Sequence, residues 1–451
     1  MTTGRAGQDE SVLRADLDEV IQAALAAVAP EPCLRRAVRF DGDILRVREE
    51  RIDLSQIERT VVVGMGKASA RMAAYLEDLL GSRISEGLVV TATGYAVPTK
   101  RVTVVEGAHP VPDARCVAAA KGILDLVDGA DENDLVIVLI SGGGSALLTL
   151  PVPGIELADV ISTNRILLRS GATIEQINTV RKHLSQVKGG QLAQRAFPAQ
   201  TLALVLSDVP GDSLTAIASG PTVADPTTFQ QAERILHRYR LWDKVPESVR
   251  RRIRTGARGE LAETPKPASG SFKRVKTTII GSGSVAAQAA LERGMSLGYR
   301  TLLLTTTLEG EARVVGSTLA AVAREAVASG RPVEPPALIV AAGETTVTVR
   351  GKGKGGRNQE LVLSAALEIE EVPRVVIGSL GTDGRDGPTD AAGAAVDGGA
   401  VRRMRDLGIS PEDCLAQNDA YRALAATGDL IVTGPTGTNV ADLCFVMVGE
   451  G

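Results

Sequence analysis

Short, almost wholly apolar runs that break into a glycine turn and then a helix recur along this chain. That alternation restricts the fold more than any other feature. TVVVGMG at 60–66 leads into KASARMAAYLEDLL, DLVIVLI at 134–140 leads into SGGG, and TLALVLSDV occupies 201–209. Runs this apolar suit strands buried on both faces, and strand–turn–helix repetition predicts a parallel sheet with crossover helices. A second set opens with VKTTIIGSGS and continues through the helix VAAQAALERGMSLG and the strand YRTLLLTTT. After a helix near 311–328 it adds the strands ALIVAAGE and VVIGSLGTD. Residues 11–29 read as an amphipathic helix that Pro30 and Pro32 stop. The polar stretch near 254–274 lacks any period and is the expected linker. The expected fold is therefore α/β, with two domains of mostly parallel sheet flanked by helices. The first, Rossmann-like, spans 1–258, the linker 259–274 and the second domain 275–451.

A chain of 451 residues exceeds what one hydrophobic core organises, which supports two domains. Aromatic residues make up only 2%, so the core must be built from Val, Leu, Ile and Ala. A net charge of −4 argues against a nucleic-acid partner or an anionic membrane surface. The four cysteines, Cys33, Cys116, Cys414 and Cys444, are too far apart for a zinc site or a disulfide framework, and reduced buried thiols are expected. No apolar run approaches the roughly 20 residues of a membrane span, and a cytoplasmic protein is expected. Homo-oligomerisation is compatible with this composition.

In open α/β sheets, ligands bind beyond the carboxyl ends of the strands. Here those ends carry GMGK, SGGGS, SDVPGD, GETT and GTDGRDGPTD. No Walker A loop is present. GSGSVA at 281–286 is followed by no acidic residue to hold a ribose until Glu309, so the dinucleotide fingerprint is weak. Ser141, Gly142, Gly143, Gly144 and Ser145 form a turn whose backbone N–H groups converge on phosphate or carboxylate, with the following helix N-terminus adding positive potential. Lys67 places an ammonium at a strand-to-helix turn. Arg350, Lys352, Lys354 and Arg357, separated by glycines, form a basic loop that is expected to be mobile until it closes over a triphosphate. Arg357 opens a helix, where its guanidinium can fork onto a carboxylate or phosphate. Asp383, Asp386 and Asp390 crowd one glycine-rich loop, which Mg²⁺ or Arg385 would neutralise, and Asp208 and Asp212 form a second acidic pair. The combination fits phosphoryl transfer, in which catalysis is mostly positioning and charge neutralisation.

SGGGSALL, INTVRKHLSQVKGGQLA, SDVPGD with IASGPTVADPTTF, GETTVTVRGKGKGGRNQE and GTDGRDGPTDAAGA follow one another in an order that resembles the class II glycerate kinases. Members pair an N-terminal glycerate-kinase domain with a C-terminal MOFRL domain. The resemblance implies transfer from ATP to D-glycerate to give 2-phosphoglycerate, with Mg²⁺ and a cleft between the domains holding Lys67 and Arg357. Lys67, Arg357 and Asp208 are then the expected catalytic residues, with an aspartate taking the proton of the attacking 2-hydroxyl. Phosphate and substrate contacts are expected from the 141–145 turn, Glu344, Lys354 and Asn439. Asp212, Asp383 and Asp386 are expected around the metal, and the closing strand GTNVADLCFVMV adds Asp442 as a further candidate. Two rival readings stand beside it. One is a hydroxypyruvate reductase, a label members have often carried, and the other is a non-catalytic sugar-acid-binding protein.

Overall fold

A computed structural model describes residues 9–450. Contacts between residues divide the chain into two units. The first comprises Cys33–Ser207 and Asp212–Ile280. The second comprises the described residues up to Pro32, Asp208–Gly211 and those from Gly281 onward.

The first unit opens with a three-stranded antiparallel sheet, β1 (Val38–Asp41), β2 (Ile44–Val47) and β3 (Glu50–Asp53). Its main sheet contains β4 (Thr60–Met65), β5 (Glu86–Ala92), β6 (Val102–Gly107), β7 (Leu135–Ile140), β8 (Gln200–Leu206) and β9 (Val275–Gly281). The order is β6-β5-β4-β7-β8-β9, and the pairs among β4 to β8 are parallel. Counted from β4, this is the doubly wound order 3-2-1-4-5-6, whose direction of winding reverses between β4 and β7. Every residue of β4 and β7 is buried, as strands covered on both faces require. A helical layer from 157 to 257 encloses its own core of Leu167, Val180, Phe229, Leu236, Val249 and Ile253. Its helix Ile174–His183 starts where it does because Thr173 and Gln176 cap each other's backbone N–H groups.

The second unit carries β10 (Arg300–Leu308), β11 (Ala337–Gly343), β12 (Val375–Gly381), β13 (Gly393–Asp397), β14 (Leu430–Ile431) and β15 (Asp442–Val448), in the order β10-β11-β15-β12-β13-β14. Only β10 and β11 pair in parallel. The expectation of a mostly parallel sheet thus holds in the first unit, while the second is mixed. The last strand, β15, inserts antiparallel between β11 and β12, and β13 returns antiparallel beside β12.

Two boundary expectations change. Residues 254–274 form no isolated linker but pack on the first unit. Glu263 accepts from the Phe229 N–H and pairs with His183, and Thr264 donates to Asp225. The helix Glu10–Ala27 belongs to the second unit, where Arg14 pairs with Asp397 and Asp429 and the Leu17 side chain lies against Gly378. Pro30 ends nothing by itself; it opens the next helix, Pro30–Ala37, at a position whose N–H has no intrahelical partner in any case.

Candidate active site

In the first unit the turns after β4 and β7 meet at the point where the winding reverses. The Lys67 N–H donates to the Gly142 carbonyl at 2.9 Å, the Ala68 N–H to Ser141 Oγ at 3.0 Å, and the Ser141 N–H to the Met65 carbonyl at 3.0 Å. This approach leaves no room for side chains. A Cβ on Gly66 (φ +116°) would lie 2.3 Å from both the carbonyl oxygen and Oγ of Ser141. Gly66→Ala is therefore expected to cost about 3 kcal/mol or more, combining left-handed strain with overpacking, and the urea midpoint measures it. A fall below about 0.5 kcal/mol would show that the two turns can separate without penalty.

The 141–145 turn keeps its expected place, but the helix behind it, Gly144–Leu147, is a single turn. Its dipole adds little, so attraction for an anion rests on backbone amides and nearby cations. The N–H groups of Gly142 and Gly143 donate to no acceptor among the described residues. A Cβ on Gly143 would lie 3.0 Å from the His109 ring and 3.6 Å from Lys67 Cγ, so these two side chains flank the turn. His109 was not among the residues the sequence singled out. It follows β6, a strand that alternation of apolar runs left unread. Asp212 (φ +56°) also belongs to this unit.

The second unit gathers Asp208, Glu344, Arg357, Asp383 and Asp442. Arg357, first residue of the helix Arg357–Glu368, forks onto Asp442 with Nε to Oδ2 at 2.5 Å and Nη2 to Oδ1 at 2.8 Å, and its Nη1 reaches Glu344 Oε1 at 2.8 Å. Burial pushes the Asp442 carboxyl up, against the pull of Arg357. Burial also raises Glu344, and the charges of Asp442, Asp208 and Asp383 add to the rise while Arg357 opposes it. For Arg357 itself, burial acts to lower the pKa, but the bond and charge of Asp442 outweigh it and hold the guanidinium above its ordinary range. One cation thus holds two carboxylates together at the strand ends.

Asp386 has a different task from the expected metal ligand. Its Oδ1 accepts from the backbone N–H (3.2 Å) and Nδ2 (3.2 Å) of Asn358, and its Oδ2 from the Gln359 N–H at 2.9 Å. It caps the helix that presents Arg357, and burial pushes its pKa up to about 6. Asn439 accepts from the Ala441 N–H at 3.3 Å, in a turn that brings Asp442 to the start of β15. Lys354 lies over the Tyr421 ring, with Nζ 4.0 Å from its centroid. The glycines of the basic loop serve close packing rather than freedom. A Cβ on Gly351 would lie 2.1 Å from the Gln417 carbonyl oxygen, and one on Gly353 would lie 2.4 Å from Asp419 Cβ. Asn418 Oδ1 accepts from the N–H groups of Arg350 (2.7 Å) and Gly351 (3.0 Å), pinning the loop further. Among the described residues no three His, Cys, Asp or Glu side chains are disposed to hold a metal ion by themselves.

A doubly wound unit whose glycine turn leaves two backbone amides unpaired among the described residues, and a mixed α/β unit with an arginine–carboxylate cluster, define a two-domain α/β protein. Residues 16–254 match the domain of unknown function DUF4147, and residues 337–442 match the MOFRL family. The chain is 45% identical to a protein named glycerate 2-kinase from Pyrococcus horikoshii, over 94% of this chain and 95% of that one. It is 42% identical to D-glycerate 2-kinase of Thermotoga maritima, over 95% and 97% respectively. A crystal structure of glycerate kinase from that organism superposes with a TM-score of 0.85 at 40% identity, covering 97% of this chain and all of the other. A relative from Agrobacterium vitis, 45% identical over 87% of each chain, bears hydroxypyruvate reductase as a provisional name. This chain belongs to the class II glycerate kinase family.

Proposed function

We propose that this protein transfers the γ-phosphoryl group of ATP to the 2-hydroxyl of D-glycerate, giving 2-phosphoglycerate. The observation that carries the reading is near-complete coverage, above 40% identity, of proteins named glycerate 2-kinase. The Gly142 and Gly143 N–H groups and Lys67 bind phosphate or carboxylate oxygen, and Arg357, braced by Glu344 and Asp442, faces charge that moves during transfer. Asp208, in the turn after β8, takes the hydroxyl proton in this reading.

The donors fit Mg²⁺ carried on the nucleotide rather than a preformed cage. Hard carboxylate oxygens are present, no three of the candidate groups converge as a metal site, and Mg²⁺ in phosphotransferases commonly takes one or two carboxylates with substrate phosphates. Asp383 would hold it, since Asp208 is assigned the proton and Asp386 already accepts three N–H bonds. Bound there, the ion would neutralise developing phosphate charge. No described helix is long and apolar enough to cross a membrane, and action in the cytoplasm is part of the proposal.

The reductase reading lacks a site for the nicotinamide nucleotide. In a doubly wound sheet the ribose is held by an acidic residue at the end of the second strand, and β5 ends in Thr91 and Ala92, followed by Thr93 and Gly94. The purified protein should release ADP with D-glycerate only when Mg²⁺ is present, with phosphorus NMR identifying 2-phosphoglycerate. NADH oxidation with hydroxypyruvate and no ADP release would replace the kinase reading with the reductase.

A further inference from the structure

A second polar cluster in the first unit starts from Ser145, the last residue of the 141–145 turn, and its other members have no part in the roles assigned above. Ser145 Oγ lies 2.9 Å from Ser219 Oγ, which donates to Asn178 Oδ1 at 3.0 Å. Arg181 approaches the same Asn178 oxygen through Nη1 at 3.5 Å and donates through Nε to Asn164 Oδ1 at 2.9 Å. Asn178 and Arg181 stand three residues apart on one face of the helix Ile174–His183. Asn178 is only 1% exposed, and its Nδ2 has no hydrogen-bond partner among the described residues. An amide donor left unpaired in a buried place is costly unless something else accepts from it.

Backbone strain and charge point to the same spot. Ala218 (φ 49°), Ser219 (φ 62°) and Gly220 (φ 63°) are three successive left-handed residues, two of them carrying a Cβ. Conformations of this sort are strained and persist where the surroundings impose them, commonly at ligand sites. Arg181 forms no ion pair with a carboxylate among the described residues, and burial pulls it down to about 10. Lys188, fully buried, donates Nζ to the Ser145 and Leu148 carbonyls at 2.7 Å each. Burial, and the charge of Arg181, bring Lys188 down to about 7. Arg181, answered only by amide oxygens, creates a local positive potential next to a serine hydroxyl, and Lys188 adds to it when protonated.

We propose that Arg181 and Asn178, with the Ser145 hydroxyl, form the subsite that binds the carboxylate of the hydroxy-acid acceptor and so select an acid over a neutral polyol. The proposal rests on the kinase reading above. The shared chemistry is an anion with two or more oxygens, which a phosphate of ATP also offers. The guanidinium retains N–H groups beyond those on Asn164 and Asn178, and the Asn178 amide adds a donor beside them.

The test uses Arg181→Ala and Arg181→Lys in the full-length protein. KM for D-glycerate should rise about 10- to 100-fold in Arg181→Ala, the range for losing a charge-assisted hydrogen bond, while KM for ATP stays within about twofold. The preference for glycerate over glycerol, measured as kcat/KM, should fall by a similar factor. An unchanged KM for glycerate overturns the proposal, and so does a rise in the KM for ATP alone, which would assign Arg181 to a nucleotide phosphate. Arg181→Lys carries the same tests if the alanine variant does not fold. The kinase reading is judged separately by ADP release from the unmodified protein. If that fails, the subsite is read from the thermal midpoint: a glycerate-induced rise in the unmodified protein that Arg181→Ala loses supports it. The same rise in both proteins, or no rise in either, overturns it.

Discussion

Arg357→Ala should lose both turnover and stability. kcat should fall about 10²–10³-fold, because a fixed cation facing charge that moves in the transition state is commonly worth that much. The second loss follows from its partners. Arg357 forks onto Asp442, whose side chain is 4% exposed, and removing it leaves a buried carboxylate without its counter-charge. Breaking a buried pair in this way costs about 3–5 kcal/mol, and the partial exposure of Arg357 places the expected value near the lower end. Arg357→Ala/Asp442→Asn separates the effects: the second change removes the stranded charge, so the thermal midpoint should recover while kcat stays low. Recovery of kcat with the midpoint would assign Arg357 a purely structural role. Arg357→Lys should rescue poorly, since an ammonium cannot reproduce a two-pronged contact together with a third bond to Glu344.

Lys67→Ala should lose turnover. What anchors the GMGK turn is the Lys67 backbone, through its N–H to Gly142 and its carbonyl, which accepts from Thr91 Oγ1 at 3.2 Å. Both bonds survive truncation of the side chain, so the turn should keep its backbone anchors. The ammonium belongs to a residue whose stem flanks the Gly142 and Gly143 amides, and losing it should lower kcat about 10²–10³-fold. The measurements are kcat and the urea midpoint on one preparation. A kcat within about threefold of the unmodified protein removes Lys67 from the mechanism, and a displaced midpoint shows that the side chain supports the turn.

The alternation of buried strand, glycine turn and helix made the α/β class, the strands 60–65, 135–140 and 200–206, and the 141–145 turn legible, because both periods are local properties. Charged turns were legible for the same reason: glycine beside Lys, Asp or Ser at a strand end is visible in a few residues. The helix face carrying Asn178 and Arg181 was present as INTVRKH. Yet nothing within that segment signals that one amide lacks a partner or that Ser219 arrives from 41 residues away.

What the chain determined alone is therefore the set of elements and the chemistry at their ends. Which ends belong together was decided by the tertiary structure. Strand pairing is non-local, and no side-chain period records that β15 inserts between β11 and β12, which is how Asp442 meets Arg357 across 85 residues. The same holds for Asp386, which reads as one of several loop aspartates until the helix opening at Arg357 places two backbone N–H groups on its oxygens. A carboxylate's role depends on what lies within about 3 Å of it, and only the folded chain sets that distance.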